Sequence, residues 1–138
     1  MNSQITSREK SYNNHKDLVE KILAEYMPQL GINSEVKVKL RNYKIRSAFC
    51  NLKTNTIYLN TALLDLGEEV ARYLLLHELI HIKQGKRYHN DEFYKLLYKF
   101  IPPEKVKIIQ GQIIGELYNN GTKTKQKHLA NKEIYVKP

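Results

Sequence analysis

The sequence predicts an α+β fold in which a small three-stranded sheet, antiparallel or mixed, packs with helices around one central helix. Residues 35–41 alternate strictly between polar and apolar side chains, which indicates a half-exposed strand. Residues 43–51 and 56–60 indicate a hairpin around the turn 52–55, where Asn55 tolerates turn geometry. Four further segments show helical spacing, so we expect strands and helices together.

The predicted helices follow one another along the chain. Residues 11–30 carry apolar side chains at helical spacing. Residues 68–83 are apolar nearly all round, as is typical of a helix through the middle of a domain. Asn90 can cap a third helix, and a fourth begins after two consecutive prolines and runs from Glu104 to about Tyr118.

Length and composition predict one domain with a polar extension. We expect a single domain over residues 1–118 and a basic, flexible C-terminal tail over residues 119–138. Cys50 is the only cysteine, which excludes an internal disulfide and favours a reducing compartment. The N-terminal residues lack the apolar core of a signal peptide, so we expect a cytoplasmic protein with no membrane partner.

The central helix contains the motif His-Glu-x-x-His at residues 77–81. Because a helix turns every 3.6 residues, His77 and His81 share one face and can bind a single Zn²⁺. Glu78 is rotated by about 100° around the helix, beside the metal rather than on it. There it can take a proton from water, as in metallopeptidases. The alternative is a buried helix whose histidines are satisfied by hydrogen bonds.

A third ligand is expected because catalytic zinc sites take three protein ligands and leave a fourth position for water. Gly85 can adopt the left-handed conformation that ends a helix, which lets the chain fold back. In an unbroken helix, His89 would lie about 12 Å beyond His81, too far to share one ion. His89 is therefore the first candidate, and its alternative role is an N-terminal helix cap. The carboxylates that would replace it are Glu92, Glu104 and Glu116.

Residues 77–81, followed by residues 89–94, resemble the small zinc metallopeptidases of the SprT-like and YgjP-like group, and the chain is similar in size and layout to the minigluzincins. The resemblance covers roughly residues 36–102. Phe49 stands in the region where YgjP-like proteins often carry a tryptophan, a residue this chain lacks. The resemblance implies a zincin peptidase. Because gluzincins are named for a glutamate ligand, it leaves His89 and the glutamates open as third ligands.

The predicted function is zinc-dependent hydrolysis of peptide bonds. The resemblance to zincins implies that the substrate is added as a strand along an exposed edge, for which residues 56–60 or their partner strand are candidates. A donor that stabilises the oxyanion is also expected, and Tyr88, Tyr94 and Tyr98 are available for that role. The alternative function is a zinc-stabilised module that binds nucleic acid or protein and hydrolyses little. Glu78 argues against it, because a structural site needs no base.

The net charge of +9 permits a nucleic-acid partner, and SprT-like proteins include proteases that degrade proteins attached to DNA. However, the cations are dispersed, with Lys37 and Lys39 in a strand, Lys53 in a turn and others in the tail. No DNA-reading motif is present. We therefore expect a generally basic, solvated surface in preference to a nucleic-acid site.

The C-terminal tail is predicted to restrain activity. The resemblance to minigluzincins implies a latent, self-blocked form. The tail ends in the apolar residues 134–136, which suit a strand-shaped cleft, and His128 offers an imidazole for the open zinc position. A disordered basic tail is the alternative.

Overall fold

A computed structural model of the protein describes residues 6–124, with side chains as far as residue 120. The elements in chain order are α1 (Ser7–Leu30), β1 (Lys37–Arg41), β2 (Ala48–Asn51), β3 (Thr56–Asn60), α2 (Thr61–Leu64), α3 (Glu68–Gln84), α4 (Asp91–Phe100) and α5 (Pro103–Thr124). The predicted α+β class with a three-stranded sheet is confirmed.

The sheet is mixed, with the strand order β1-β3-β2. β2 and β3 form the predicted antiparallel hairpin, and Asn55 in its turn has a positive φ of 50°. β1 pairs with the other side of β3 in parallel, with Lys39 opposite Tyr58. The prediction that residues 56–60 form an exposed edge is wrong, because β3 is hydrogen-bonded on both sides. Its partner β2, the other candidate, does lie at an edge.

Helix α3 runs through the middle of the protein. It packs against the four other helices and against β2 and β3. Every residue from Tyr73 to His81 is buried, because other elements surround this helix. The buried side chains are apolar or aromatic except for those of His77, Glu78 and His81. The inner face of the sheet contributes Cys50, Ile57 and Leu59 to the same core.

Helix α1 begins four residues earlier than the apolar spacing predicts. The reason is a capping box, in which the Thr6 hydroxyl accepts from the Glu9 amide at 3.1 Å and the Glu9 carboxylate accepts from the Thr6 amide at 3.0 Å. The short helix α2 was not predicted. The Asn60 side chain caps it by accepting from the Ala62 amide at 3.0 Å.

Helix α5 continues to Thr124, six residues beyond the predicted end at Tyr118. Residues 119–124 of the predicted tail are therefore helical. The rest of that tail, including His128 and residues 134–136, lies outside the described residues. Within residues 6–124, no helix is long and apolar enough to cross a membrane.

Candidate metal centre

Two histidines of the site lie on one buried face of α3. His77 and His81 are 2% and 1% exposed, and their ring centroids are 5.0 Å apart. The predicted one-turn spacing therefore places both imidazoles together inside the protein.

The chain then turns back, as the sequence predicts. Gly85 ends α3 in the left-handed conformation with φ 68°, and the amides of Gly85 and Lys86 both donate to the carbonyl oxygen of His81, at 2.8 and 3.3 Å. Helix α4 starts six residues later, where the Asn90 side chain accepts from the Phe93 amide at 2.9 Å. The loop between these two caps carries His89.

The fold brings His89 to the other two histidines. Each of the three residues offers a ring nitrogen, and these atoms all lie within 4.8 Å of one another. Nε2 of His81 and Nε2 of His89 are 3.1 Å apart. In the described part of the chain this is the one such group of three or more histidine, cysteine or acidic residues. The alternative carboxylates, Glu92, Glu104 and Glu116, do not belong to it.

The donor set fits a zinc ion. Zn–N bonds of about 2.0–2.1 Å place two ligand nitrogens of a tetrahedral site about 3.3 Å apart, close to the separation of His81 and His89. Three imidazoles are also a ligand set found in catalytic zinc sites.

Hydrogen bonding fixes the orientation of His81. Its Nδ1 lies 2.9 Å from the carbonyl oxygen of Lys86, and because a carbonyl only accepts, Nδ1 must carry the hydrogen. In the neutral ring, Nε2 then presents a lone pair toward His89. Burial, and next the neighbouring His77, lower the pKa of His81 to about 4, so the ring is neutral at pH 7.

Glu78 is 2% exposed and lies against the same cluster. Its Oε2 is 3.2 Å from Nδ1 of His77. When the carboxylate is ionised it accepts the hydrogen of Nδ1, which leaves Nε2 of His77 with its lone pair. The structure therefore places a buried carboxylate in contact with one of the three imidazoles.

Two aromatic residues of the site were not predicted to take part. Phe93 packs against all three imidazoles, with ring centroids 4.9, 4.8 and 4.8 Å from those of His77, His81 and His89. Tyr73 is buried, its ring lies 5.7 Å from that of His77, and its hydroxyl accepts from the Gln110 amide group of α5 at 3.1 Å. Tyr73 precedes His77 by four residues, which was the available sequence signal for a shared face.

The three tyrosines considered for the oxyanion differ in their exposure to solvent. Tyr88 is 71% exposed and Tyr98 is 39% exposed. Tyr94 is half-buried, and its ring contacts Phe93 at 5.5 Å and His89 at 6.5 Å. Burial raises the pKa of the Tyr94 hydroxyl, so it keeps its hydrogen at pH 7.

Comparison with known proteins decides the family. A family model described as the YgjP-like metallopeptidase domain matches residues 5–108. The chain belongs to the YgjP-like metallopeptidase family. This confirms the predicted enzyme class and the resemblance on which it partly rested.

Solved structures of two peptidase precursors are similar to this YgjP-like chain. The metallopeptidase zymogen of Pyrococcus abyssi abylysin is 37% identical, with a TM-score of 0.66 over 72% of this chain and 95% of that one. The zymogen of Methanocaldococcus jannaschii jannalysin is 31% identical, with a TM-score of 0.64 over 75% and 96% of the two chains. An uncharacterized protein of Aquifex aeolicus is 42% identical over 83 residues, which are 59% of this chain and 74% of that protein.

Proposed function

We propose that this YgjP-like metallopeptidase hydrolyses peptide bonds with one Zn²⁺ held by His77, His81 and His89, and with Glu78 as the base. The observation that carries the proposal is the group of three imidazole nitrogens within 4.8 Å, with the Glu78 carboxylate against it. Three protein ligands leave a position open, which distinguishes catalytic from structural zinc sites.

The choice of zinc follows from the donor chemistry. Neutral imidazole suits Zn²⁺, whereas Mg²⁺ and Ca²⁺ prefer the oxygen ligands that the cluster lacks. When bound, Zn²⁺ supplies a Lewis acid that polarises a carbonyl and makes water acidic near neutral pH. The single cysteine is consistent with a reducing, cytoplasmic setting for this reaction.

Side chains of α3 and α4 carry out the remaining steps of the proposed reaction. His77 and His81 hold the metal through nitrogens whose lone pairs are set by the hydrogen bonds at their Nδ1 atoms. The Glu78 carboxylate accepts the proton of the attacking water and returns it to the amine nitrogen as that group leaves. Tyr94 donates its hydroxyl hydrogen to the oxygen of the scissile carbonyl, where negative charge develops.

A peptide substrate is proposed to bind along β2. This strand is at the edge of the sheet and packs against α3, so a peptide added to it would extend the sheet beside the helix that carries the histidines. Main-chain hydrogen bonds would then hold substrates of varied sequence.

The protein is further proposed to be made in a latent form. Two similar solved structures are described as zymogens. An open zinc site in a cell needs control, and the C-terminal residues after α5 are the candidate restraint. This part of the proposal is separate from the chemistry of the site.

Replacing Glu78 by Gln tests the proposed function against a zinc-stabilised binding module. Glu78→Gln should retain zinc and lose casein hydrolysis, while Glu92→Gln, an exposed change outside the cluster, should match the wild type in both. The assay is run on the full chain and on a chain lacking residues 125–138, so that latency does not hide activity. Undiminished hydrolysis by Glu78→Gln would reject the proposal. So would the absence of hydrolysis by both the full and the shortened chain when each has its natural Glu78 and is loaded with zinc.

A further inference from the structure

The solvent side of the sheet gathers aromatic and basic side chains in one place. Val38 and Leu40 of β1 pack against the core, so the alternating Lys37, Lys39 and Arg41 lie on the opposite face. Strand pairing places Lys39, Tyr58 and Phe49 in one row across the three strands. We call these five residues, Lys37, Lys39, Arg41, Phe49 and Tyr58, the outer sheet face.

The aromatic residues of this face form a stack. The Phe49 and Tyr58 rings are parallel to within 13°, with centroids 4.6 Å apart, and the Arg46 guanidinium lies 4.2 Å from the Phe49 centroid. The ring of Tyr43 contacts Phe49 at 5.9 Å. Phe49 and Tyr58 are only half-buried, so the stack is open to solvent.

The charge of this region has one sign. Residues 36–64, which contain the whole sheet, include six cations and no acid, so these 29 of 138 residues carry +6 of the net +9. The cations are Lys37, Lys39, Arg41, Lys44, Arg46 and Lys53. None of them forms an ion pair with a described residue, whereas other cations of the protein, such as Arg72 and Lys105, do. Of these six, Lys37, Lys39 and Arg41 lie on the outer sheet face, and Arg46 lies over the Phe49 ring.

We propose that the outer sheet face binds single-stranded nucleic acid. Unpaired bases would extend the stack of Tyr58 and Phe49, and phosphates would lie against the cations of β1 and Arg46. An acidic polypeptide would satisfy the charge but would not use the stacked rings. A duplex keeps its bases stacked within itself, so the rings favour a single strand.

A groove extends this surface toward the loop that carries His89. It has a volume of about 650 Å³, and its lining includes Phe49, Tyr58, Lys53 and Arg87. Arg87 lies two residues before His89, so nucleic acid bound in this groove would lie near the loop that carries one of the three histidines. Binding itself does not depend on hydrolysis or on zinc.

Fluorescence anisotropy with a labelled oligothymidylate of about 20 nucleotides, titrated with the full-length protein from about 50 mM salt upward, tests the proposal. Tyr58→Leu should lower the affinity roughly tenfold, and Tyr58→Phe, which keeps the ring, should not. The double variant Lys37→Gln with Lys39→Gln should reduce the slope of log affinity against log salt concentration by about 1.4. That change corresponds to the loss of two phosphate contacts with a single strand. Lys95→Gln with Lys107→Gln is the matched control, because these exposed helical lysines carry the same charge elsewhere.

The results separate the possible ligands. The expected pattern is binding by the wild type, the Tyr58→Phe protein and the helical double variant, with weaker binding by Tyr58→Leu and by the strand double variant. No binding by the wild type, or equal losses in the two lysine double variants, would overturn the proposal. Displacement of the oligonucleotide by polyglutamate at the same concentration of charges would also overturn it. So would a duplex that binds as tightly as the single strand and whose affinity is unchanged in Tyr58→Leu. Near-ultraviolet circular dichroism checks folding, and the exposed lysine variants still decide the outcome if Tyr58→Leu does not fold.

Discussion

The Nδ1–H of His81 donates to the carbonyl oxygen of Lys86 over 2.9 Å, and the left-handed turn at Gly85 is what places that carbonyl there. A backbone acceptor of this kind holds the ring in one tautomer and directs Nε2 to the metal. Gly85, which ends the central helix α3, therefore also helps to orient His81 of that helix.

This relationship predicts an effect of Gly85→Ala on metal affinity. A Cβ at this position meets no atom within 4 Å, so the cost is the left-handed conformation alone, about 1 kcal/mol in free energy of unfolding. The strained turn should also displace the Lys86 carbonyl and weaken zinc binding about tenfold. Competition with a chromogenic chelator measures the affinity.

Gly31→Ala is the control for that experiment. Gly31 ends α1 in the same conformation, with φ 70°. An added Cβ would meet the flexible end of the Lys83 side chain, whose Nζ is 3.3 Å away and can move aside. Gly31→Ala should lower stability by a similar amount and leave zinc affinity unchanged. Equal zinc affinity in the two variants would show that the Lys86 carbonyl does not tune the site.

The proposed role of Tyr94 predicts a selective kinetic defect. Tyr94→Phe should lower kcat about 100-fold, because the donor acts where charge develops in the transition state, with KM and zinc content unchanged. Tyr88→Phe and Tyr98→Phe are matched controls and should remain near wild type. A larger defect in either control would move the oxyanion role to that tyrosine.

An ion-pair cluster between α1 and α3 predicts the response to acid. Nη2 of Arg72 lies 2.8 Å from carboxylate oxygens of both Glu25 and Glu68, and its hydrogen bonds hold their pKa values below the ordinary 4.5. Carboxyls with a lowered folded-state pKa stabilise the fold above the unfolded pKa and lose that contribution as pH falls through the folded value. Arg72→Met should therefore reduce stability at neutral pH and flatten its decline below about pH 4.5.

Urea unfolding of the wild type and of Arg72→Met at pH 7 and near pH 3.5 measures this difference. Lys105→Met removes an exposed 3.0 Å ion pair with Glu69 and serves as the control, with little expected change. A stability difference between wild type and Arg72→Met that is the same at both pH values would contradict the linkage.

If the C-terminal segment restrains the enzyme, as proposed, then removal of residues 125–138 should increase casein cleavage. The cut preserves all of α5, which a cut at Asn119 would not, and the buried Leu117 keeps its helical context. Zinc content and the thermal midpoint should match those of the full chain. Equal or lower activity in a folded, zinc-loaded truncated protein would reject inhibition by this segment.

Local signals predicted much of the site. Residues four apart, such as His77 and His81, share a face in any helix. Gly85 is a strong signal for a helix end and Asn90 for a helix start, so the sequence could predict that the chain turns back at His89. The sequence could not predict the contacts of Phe93 with the three imidazole rings or of Tyr73 with α5, because these contacts depend on how separate elements pack.

In the sheet, too, local features could be predicted from the sequence and long-range pairing could not. The hairpin was predictable from its turn, but the parallel pairing of β1 with β3 joins distant segments and follows from tertiary packing. The polar composition after Tyr118 wrongly suggested a helix end, because weak helix formers are tolerated in a helix that is already established. The basic face could be recognised only after strand pairing placed Lys39 beside Tyr58.

The most direct test of the proposed metal centre is a crystal structure of the zinc-loaded protein with anomalous diffraction recorded at the zinc edge. We expect one zinc per chain, with nitrogens of His77, His81 and His89 at about 2.0–2.1 Å and a fourth, non-histidine position. Calorimetry should agree, with strongly weakened zinc binding in His89→Ala and little change in Glu92→Ala, Glu104→Ala and Glu116→Ala. A zinc ion bound by one of these glutamates with His89 turned away, or no zinc between His77 and His81, would contradict the proposed site.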